Sequence, residues 1–421
     1  MHSNKTIKTL LSLFLACVSC WHISANSQTP SATITAFEHA RIIVGDGRSP
    51  IENGTLVIED GVLRQVGSAD QVRIPAGARR VDLTGKTVMP TIVDTHVHTS
   101  QPREELLADL RRRAYFGVSA ALSLGLDTSD VPLQLRQEHL PDAARFESAG
   151  RGITAPEPGR STEPFWVTSE AEARDAVKAN VARKVDIIKI WVDSRNGQYK
   201  KLSPALYRAV IDEAHKNNLR VTVHVFELVD AKDLLRAGID AFAHGVRDRD
   251  VDEEFLRLVK ERPDFVLGPN LPSRGVKSDL AWLHGILPAP ELAALEERNV
   301  DQPDAQARFG IQARNLVQMS NAGVRLVLGT DGNSPWAPHA EMEDMVAAGL
   351  TPMQVIVAAT RNGAQFLKLS DTGSLAPGLR ADFIVLDANP LDDITNTRRI
   401  SSVYLNGLEV DRKSYPASTT H

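Results

Sequence analysis

The segment MPTIVDTHVHTS (residues 89–100) ends an apolar run with two histidines, His96 and His98, two positions apart. Because the side chains of a β-strand alternate between its faces, both imidazoles are expected to project side by side from one strand end. Two imidazoles so placed can bind one cation. A surface strand whose histidines face water is the plain alternative for a lone His-x-His pair, so the rest of the chain has to decide.

From about residue 91 to residue 370, short apolar runs alternate with helical stretches. Eight strands separated by helices predict an α/β protein with a (β/α)8 TIM barrel, and an open parallel sheet is the alternative. The strand candidates are Ile92–His98, Val118–Leu124, Arg145–Gly150, Val185–Val192, Arg220–Phe226, Ala241–Val246, Phe265–Leu271 and Val324–Gly329. The helical stretches are residues 102–117, 169–184, 203–218, 230–238, 252–262 and 304–323.

Both ends of the chain have a different pattern from the middle. Residues 32–90 contain short runs in which β-branched and polar residues alternate, and Asp60-Gly61 marks a hairpin turn. The segments GLRADFIVLDANP (378–390) and SSVYLNGLEV (401–410) have the same pattern. Short β-strands are therefore expected at both ends.

The first residues have the layout of a secretory signal peptide. Lys5 and Lys8 precede the apolar run TLLSLFLACV, which is too short to span a bilayer, and small residues follow it. Cleavage is expected after Ser27, with Ala25 three residues before the cut. The protein is therefore expected to be exported, either to the periplasm or out of the cell, without a membrane span in its mature form.

Composition excludes some classes of function. The chain has 421 residues and a formal charge of −5, so there is no basic surplus of the kind that binds nucleic acid. Both cysteines, Cys17 and Cys20, lie in the predicted signal peptide, so the mature chain would have neither disulfides nor thiolate metal ligands. Lipid attachment to either cysteine is the minor alternative, because neither has a leucine three residues upstream.

Barrel strands are buried on both faces, so they should be continuously apolar and any polar residue in them is informative. Each polar residue alone has a structural explanation, such as a hydrogen-bonded core histidine or an aspartate that caps a turn. A closed barrel, however, would bring them together at the face where this fold builds active sites. Six polar residues lie at or near the carboxyl ends of strands one, four, five, six and eight: His96, His98, Lys189, His224, His244 and Asp331.

Other polar residues are interpreted as incidental. The run Arg111–Arg113 is expected to form a solvated helix face. His339 is expected to be an exposed loop histidine, with an orientation toward the barrel mouth as the alternative. Arg195, Tyr199 and Arg247 follow strands four and six and could receive a substrate carboxylate, but solvent-facing positions are the preferred interpretation.

The six residues resemble the signature of the metal-dependent amidohydrolase superfamily. That signature has His-x-His on strand one, a carboxylated lysine on strand four in many members, single histidines on strands five and six, and an aspartate on strand eight. The run VMPTIVDTHVH is similar too, although Thr91 stands where many members have glycine. SPALYRAVIDEAHKNNLRVTVHV and GIDAFAHG resemble the imidazolonepropionase-like and prolidase-like branch.

The resemblance implies a division into domains. GSLAPGLRADFIVLDANPLDDI (373–394) resembles the C-terminal return of the family, which completes a small β-sandwich with the N-terminal strands. Residues 1–27 would be the signal peptide, residues 28–89 and 374–421 the composite β-sandwich, and residues 90–373 the (β/α)8 hydrolase barrel.

The resemblance also implies two divalent metal ions in each chain. Lys189 would react with carbon dioxide to give a carbamate that bridges both ions, which would explain a buried lysine among isoleucines. Nitrogen and oxygen ligands without sulfur suit zinc, with manganese, cobalt and iron left open. The other ligands fall into two sets, one for each ion: His96, His98 and Asp331, and His224 and His244.

By the same resemblance, a metal-bridging hydroxide would attack a substrate carbonyl, and Asp331 would transfer the proton to the leaving amine. The leading prediction is a hydrolase that cleaves the C–N bond of a small peptide or N-acyl amino acid. The alternatives are a one-metal deaminase with Glu227 as proton shuttle, a lactonase or phosphotriesterase on the same metal core, and a non-catalytic binder. The substrate-binding residues are unknown, and self-association is left open.

Overall fold

The structure is a computed structural model and describes residues 34–99, 102–138 and 140–415. The predicted signal peptide and its two cysteines lie outside these residues. Within the described ranges, no helix is both long and apolar enough to cross a membrane.

The described chain begins with short strands, as predicted. The turn between the second and third strands has positive φ angles at Asp60 and Gly61, a conformation that these two residue types adopt at low cost. The strands are β1 (Ile34–Ile42), β2 (Ile51–Glu59), β3 (Val62–Ser68), β4 (Arg79–Asp82) and β5 (Thr87–Pro90).

The eight strands predicted for the middle of the chain are all present, and two additional short strands, β9 and β10, lie between the third and fourth of them. They form two all-parallel sheets, in the orders β6-β7-β8 and β10-β9-β11-β12-β13-β14-β15. Their bounds are β6 (Ile92–Val97), β7 (Val118–Ser123), β8 (Arg145–Ser148), β9 (Ile153–Thr154), β10 (Phe165–Trp166), β11 (Ile188–Val192), β12 (Val221–Val225), β13 (Ala241–Phe242), β14 (Val266–Leu267) and β15 (Arg325–Leu326).

The six predicted helices are confirmed as α1, α3, α4, α5, α6 and α8. The long segment between β14 and α8 contains a further helix, α7. Ser169 begins α3 with a capping box, which satisfies backbone N–H groups at the helix start. The helices are α1 (Arg103–Tyr115), α2 (Val131–Leu135), α3 (Glu170–Ala182), α4 (Pro204–Lys216), α5 (Leu228–Ala237), α6 (Glu253–Lys260), α7 (Ala289–Arg298), α8 (Pro303–Asn321), α9 (Ala337–Ala347), α10 (Pro352–Val357) and α11 (Gly363–Phe366).

Three C-terminal strands belong to the same sheet as β1–β5: β16 (Phe383–Leu386), β17 (Ile400–Leu405) and β18 (Leu408–Glu409). β16 pairs antiparallel with β5, so both chain ends belong to one mixed sheet of eight strands. Its apolar face buries Phe37, Phe383 and Tyr404, whose ring centroids lie 4.6–5.2 Å apart. Strands from both ends of the described chain therefore share one sheet.

Backbone hydrogen bonds also join the two parallel sheets to each other at two places. On one side, the N–H of Asp186 donates to the carbonyl of Ser148 at 2.9 Å. On the other, the N–H of Thr95 donates to the carbonyl of Leu328 at 2.9 Å. The second link places the end of β6 beside the segment that follows β15.

The expectation that Arg111–Arg113 forms a solvated face is wrong for its last residue. The side chain of Arg111 is 43% exposed and pairs with Asp142. Arg113 is fully buried, because its side chain lies between the carboxylates of Asp109 and Asp94. The sequence pattern missed this because the partner on β6 is far away in the chain.

The expectation for His339 is also wrong. Its side chain is fully buried in α9 rather than exposed in a loop. Its Nε2 lies 2.9 Å from the carbonyl oxygen of Phe116, and its Nδ1 lies 3.1 Å from the hydroxyl of Thr397. His339 therefore joins α9 to the end of α1 and to the C-terminal segment, and its ring does not face a barrel mouth.

Candidate metal centre

Strand β6 presents His96 and His98 on the same side of its carboxyl end. Their ring centroids are 5.1 Å apart, and His96 is almost fully buried. Both rings face the carboxylate of Asp331. Its Oδ1 lies 3.1 Å from Nε2 of His96 and 2.9 Å from Nε2 of His98. Candidate ligand atoms of these three residues lie within 4.8 Å of one another, which suits one metal ion.

Asp331 follows β15 and reaches the histidines through an unusual backbone conformation. Its φ is +52°, in the left-handed region that aspartate tolerates better than most residues. Its N–H donates to the carbonyl of His96 at 2.8 Å, which ties this turn to β6. Burial alone would raise the pKa of the carboxyl group, but His96 and His98 hold it well below its usual range, so Asp331 is ionised at neutral pH.

His224 at the end of β12 and His244 just after β13 form a second imidazole pair. Their ring centroids are 4.5 Å apart, and the ring of His244 lies 5.2 Å from that of His96. Nε2 of His244 is also 3.6 Å from Oδ2 of Asp331. The two histidine pairs therefore form one cluster, with Asp331 against both of them.

Lys189 on β11 points its amine into the same cluster. Its side chain is fully buried, and Nζ lies 3.4 Å from Nε2 of His96. Burial lowers the pKa of Lys189 to about 7, while Asp331 partly offsets this shift. The structure therefore brings all six predicted residues together.

The donor set fits divalent metal ions. Burial, followed by the charge of Lys189, lowers the pKa of His96 well below its usual value, and burial does the same for His244. Both rings are therefore neutral at pH 7, the state in which imidazole ligates metals. Nε2 of His244, which faces Asp331, is buried without a hydrogen-bond partner among the described residues, as an unused ligand atom would be.

Two arginines contact the cluster, contrary to the preferred interpretation that they face solvent. Nη1 of Arg195 lies 3.1 Å from Nε2 of His224. Arg247 stacks on the ring of Phe226 and places Nη2 3.0 Å from Nδ1 of His244. Contacts with residues of the folded chain hold both side chains at the cluster. The sequence showed only that each arginine follows a predicted strand, which is not enough to predict those contacts.

Two residues at the cluster were missed altogether. Oδ2 of Asp193, directly after β11, lies 3.0 Å from Nε2 of His224. Nδ2 of Asn270 lies 2.6 Å from Nδ1 of His96 and donates to the carbonyl of Ala243. Both are polar residues at the carboxyl ends of predicted strands, which is the signal that could have found them.

Glu227, on which the deaminase alternative depended, is oriented elsewhere. Its carboxylate lies 2.7 Å from Nζ of Lys201, and its side chain is 41% exposed. Among the described residues, the ion pair of Glu227 is with that lysine and not with a histidine of the cluster. The structure therefore gives the deaminase alternative no proton shuttle at this position.

Comparison with known proteins agrees with the site. The model of the amidohydrolase family matches residues 87–410. An ochratoxinase from Aspergillus niger is 25% identical over 438 aligned residues, covering 87% of this chain and 84% of that protein. An imidazolonepropionase from Paracoccus denitrificans is 26% identical over 393 aligned residues, covering 85% of this chain and 94% of that protein.

A similar solved structure is that of a Bifidobacterium longum protein for which prolidase activity has been proposed. It superimposes with a TM-score of 0.74 at 28% identity, covering 91% of this chain and 95% of that one. The family match spans most of the chain, and it includes all six residues of the cluster. This protein therefore belongs to the amidohydrolase family and is a hydrolase acting on C–N bonds.

Proposed function

We propose that this protein is a binuclear metal-dependent hydrolase that cleaves the amide bond of a small peptide or N-acyl amino acid. The observation that carries the proposal is the convergence of four imidazoles, one amine and one carboxylate from strands far apart in the chain. Two pairs of imidazoles lie around a single carboxylate, an arrangement that suits two cations better than one. The names of the relatives, an ochratoxinase and an imidazolonepropionase, support hydrolysis at a C–N bond.

The ligands would divide as the two histidine pairs do. His96, His98 and Asp331 would hold one ion, His224 and His244 the other, and Lys189 would contribute to both as a carbamate. Divalent ions in these positions, of which zinc suits the donor set best, would polarise a carbonyl group and lower the pKa of a water molecule.

The environment of Lys189 favours carbamate formation. Only a neutral amine attacks carbon dioxide, and burial lowers the pKa of this amine to about 7, so much of it is neutral at physiological pH. The product carries a negative charge where an ammonium group would lie among imidazoles. The carbamate therefore replaces an unfavourable buried cation with a metal ligand.

Asp331 is the residue that would move the proton. Its carboxylate is ionised and, at 38% exposure of the side chain, it is more accessible than His96 or His244. Oδ1 or Oδ2 would accept a proton from the attacking water and deliver it to the nitrogen of the leaving amine. Arg195 and Arg247 would add positive charge beside the substrate.

The proposal includes the architecture around the site. We infer that the two backbone links between the parallel sheets close β6–β8 and β11–β15 into a barrel, with residues 90–373 as its domain. Residues 28–89 and 374–421 would form the β-sandwich domain. Closure explains how residues from five strands meet at one place.

The experiment is an activity screen of purified protein reconstituted with zinc or manganese. Dipeptides and N-acyl amino acids are the test substrates, and a lactone, a phosphotriester and an aminopyrimidine represent the alternatives. The expected result is turnover of amides by protein that contains two metal ions per chain. One ion per chain with release of ammonia from the aminopyrimidine would favour the deaminase and contradict the proposal.

The location of the protein is a separate proposal. The layout of residues 1–27 supports export, with a mature chain that begins after Ser27. N-terminal sequencing of protein from the periplasmic and culture fractions tests it. Intact Met1 in cytoplasmic protein would show that the segment is not a signal peptide.

A further inference from the structure

We propose that Arg113, on the buried side of α1, is a positioning residue of the metal centre and that it acts through the carboxylate of Asp94. The inference rests on the proposed binding of metal ions by the histidine cluster. It concerns residues that would not themselves bind a metal ion and that the six-residue signature does not include.

Asp94 connects the two backbone segments that carry His96 and Asp331. Its Oδ1 accepts hydrogen bonds from the N–H groups of His96 and Thr330, each at 3.2 Å. Its Oδ2 accepts a third from the hydroxyl of Thr330 at 2.8 Å. One fully buried carboxylate therefore spans from β6 to the residue before Asp331.

The geometry of this connection matters for metal binding. Asp331 holds a left-handed backbone conformation, which surrounding contacts have to maintain. Those contacts are its own N–H bond to the carbonyl of His96 and the bonds of the neighbouring Thr330 to Asp94. A shift of Thr330 would therefore move the Asp331 carboxylate away from the two imidazoles of β6.

Arg113 supplies the charge that Asp94 requires. Both side chains are completely buried, and Nη1 of Arg113 lies 3.4 Å from Oδ2 of Asp94. Within the described part of the chain, Asp94 forms an ion pair with Arg113 and with no other residue. Nε of Arg113 is in turn held at 2.8 Å by Asp109, so the guanidinium group is fixed in place.

Without Arg113, Asp94 would be a buried carboxylate without a charged partner, and it would recover solvation only by moving. That movement would break the bonds that join β6 to Thr330. Residues that orient metal ligands from behind commonly change metal affinity by about 10- to 100-fold when they are replaced. We therefore expect an effect on metal affinity in addition to any effect on folding.

The first test compares R113M with R111M, which is the same substitution on the same helix at an exposed ion pair. Zinc affinity of metal-free protein is measured by chelator competition, and the cobalt-substituted protein is examined by visible absorption. R113M should bind zinc about 10- to 100-fold more weakly and show a changed cobalt spectrum. R111M should match the parental protein in both measurements.

A second pair of variants decides the matter if R113M does not fold. T330V removes the hydroxyl that donates to Asp94, whereas T330S keeps it. T330V should weaken zinc binding about tenfold, and T330S should restore nearly parental affinity. Unchanged affinity and cobalt spectrum in folded R113M, or equal affinities for T330V and T330S, would overturn the inference. Parental protein that binds no zinc would instead refute the proposed function itself, and this inference with it.

Discussion

At the scale of single residues, Asp331 differs from the histidines around it. His96 and His244 are almost fully buried, whereas the Asp331 side chain is 38% exposed and lies against three imidazoles. In the proposed centre it would therefore be both a ligand and a group that a substrate can reach. This combination supports the proposed role in proton transfer, and the two roles can be separated by mutation.

We expect Asp331→Asn to retain bound metal, because the amide oxygen can still coordinate, and to lose turnover. The amide cannot accept a proton, so kcat should fall by about 10²- to 10⁴-fold. Metal analysis and steady-state kinetics on the same preparation check both halves of the prediction. Hydrolysis at the parental rate would show that the assigned role is wrong.

Lys189→Ala should lower the metal content, because the carbamate that would join the two ions cannot form. Acetate or propionate should restore part of the metal content and activity by occupying the vacated position as a free carboxylate. Lys178→Ala, at an exposed lysine paired with Asp175, is the matched control and should bind metal normally. Parental metal content in Lys189→Ala would refute the carbamate bridge.

At the scale of elements, the approach of the segment after β15 to β6 leaves no space for a side chain at Gly329. A Cβ atom there would lie 2.5 Å from Oδ1 of Asn270 and 2.8 Å from Cβ of His96. The glycine therefore allows the segments that follow β14 and β15 to pack at short distance against β6. Gly332, three residues later, has no such restriction.

Gly329→Ala should displace His96 or Asn270 and destabilise the fold by about 1–3 kcal/mol, as overpacking of a dense core usually does. Gly332→Ala is the matched control, since its new Cβ would meet only the carbonyl oxygen of Thr330 at an ordinary 3.6 Å. Zinc affinity and denaturant unfolding of both variants check the prediction. Equal metal affinity in the two variants would show that the close approach does not position His96.

The packing of α9 against the end of α1 makes stability depend on pH through His339. Burial lowers the pKa of this histidine to about 4, against 6.5 for the unfolded chain. Below pH 6.5 this histidine is protonated in the unfolded chain, whereas in the folded protein it stays neutral until about pH 4. This residue should therefore remove about 3 kcal/mol of stability as the pH falls through that window, and nothing above it.

Unfolding free energies of the parental protein and His339→Gln, measured between pH 7 and pH 4.5, check this pH dependence. Glutamine cannot take up the proton, so the variant should lose stability less steeply with falling pH. Equal slopes for His339→Gln and the parental protein would contradict the assignment.

At the scale of the whole molecule, the proposed centre joins strands that are up to 235 positions apart in the numbering of the sequence, from His96 to Asp331. Ions that bind only the folded chain stabilise it by mass action. Chelation should therefore lower the unfolding temperature, and zinc at 100 times its dissociation constant should restore about 2.7 kcal/mol. Lys189→Ala should respond less, and an unfolding temperature indifferent to zinc would refute a metal centre that bridges these strands.

Local patterns determined much of this protein. The eight central strands and six helices follow from the alternation of apolar runs and helical periodicity, because burial on both faces of a parallel sheet requires continuous apolar residues. The six polar residues that interrupt those runs were identified in the same way. Each stands where an apolar residue would otherwise be expected, so a single sequence is enough to reveal it.

Tertiary structure alone decided which other groups surround the cluster. Arg113, Arg195, Arg247 and His339 have polar side chains that suit a surface, and only contacts with distant residues show that they are held inside. Burial of a charged or polar side chain depends on a partner that the fold brings close, and the neighbouring sequence does not show which residue that partner is. The sequence by itself therefore determined the strands and the candidate ligands, whereas the folded chain decided what orients them.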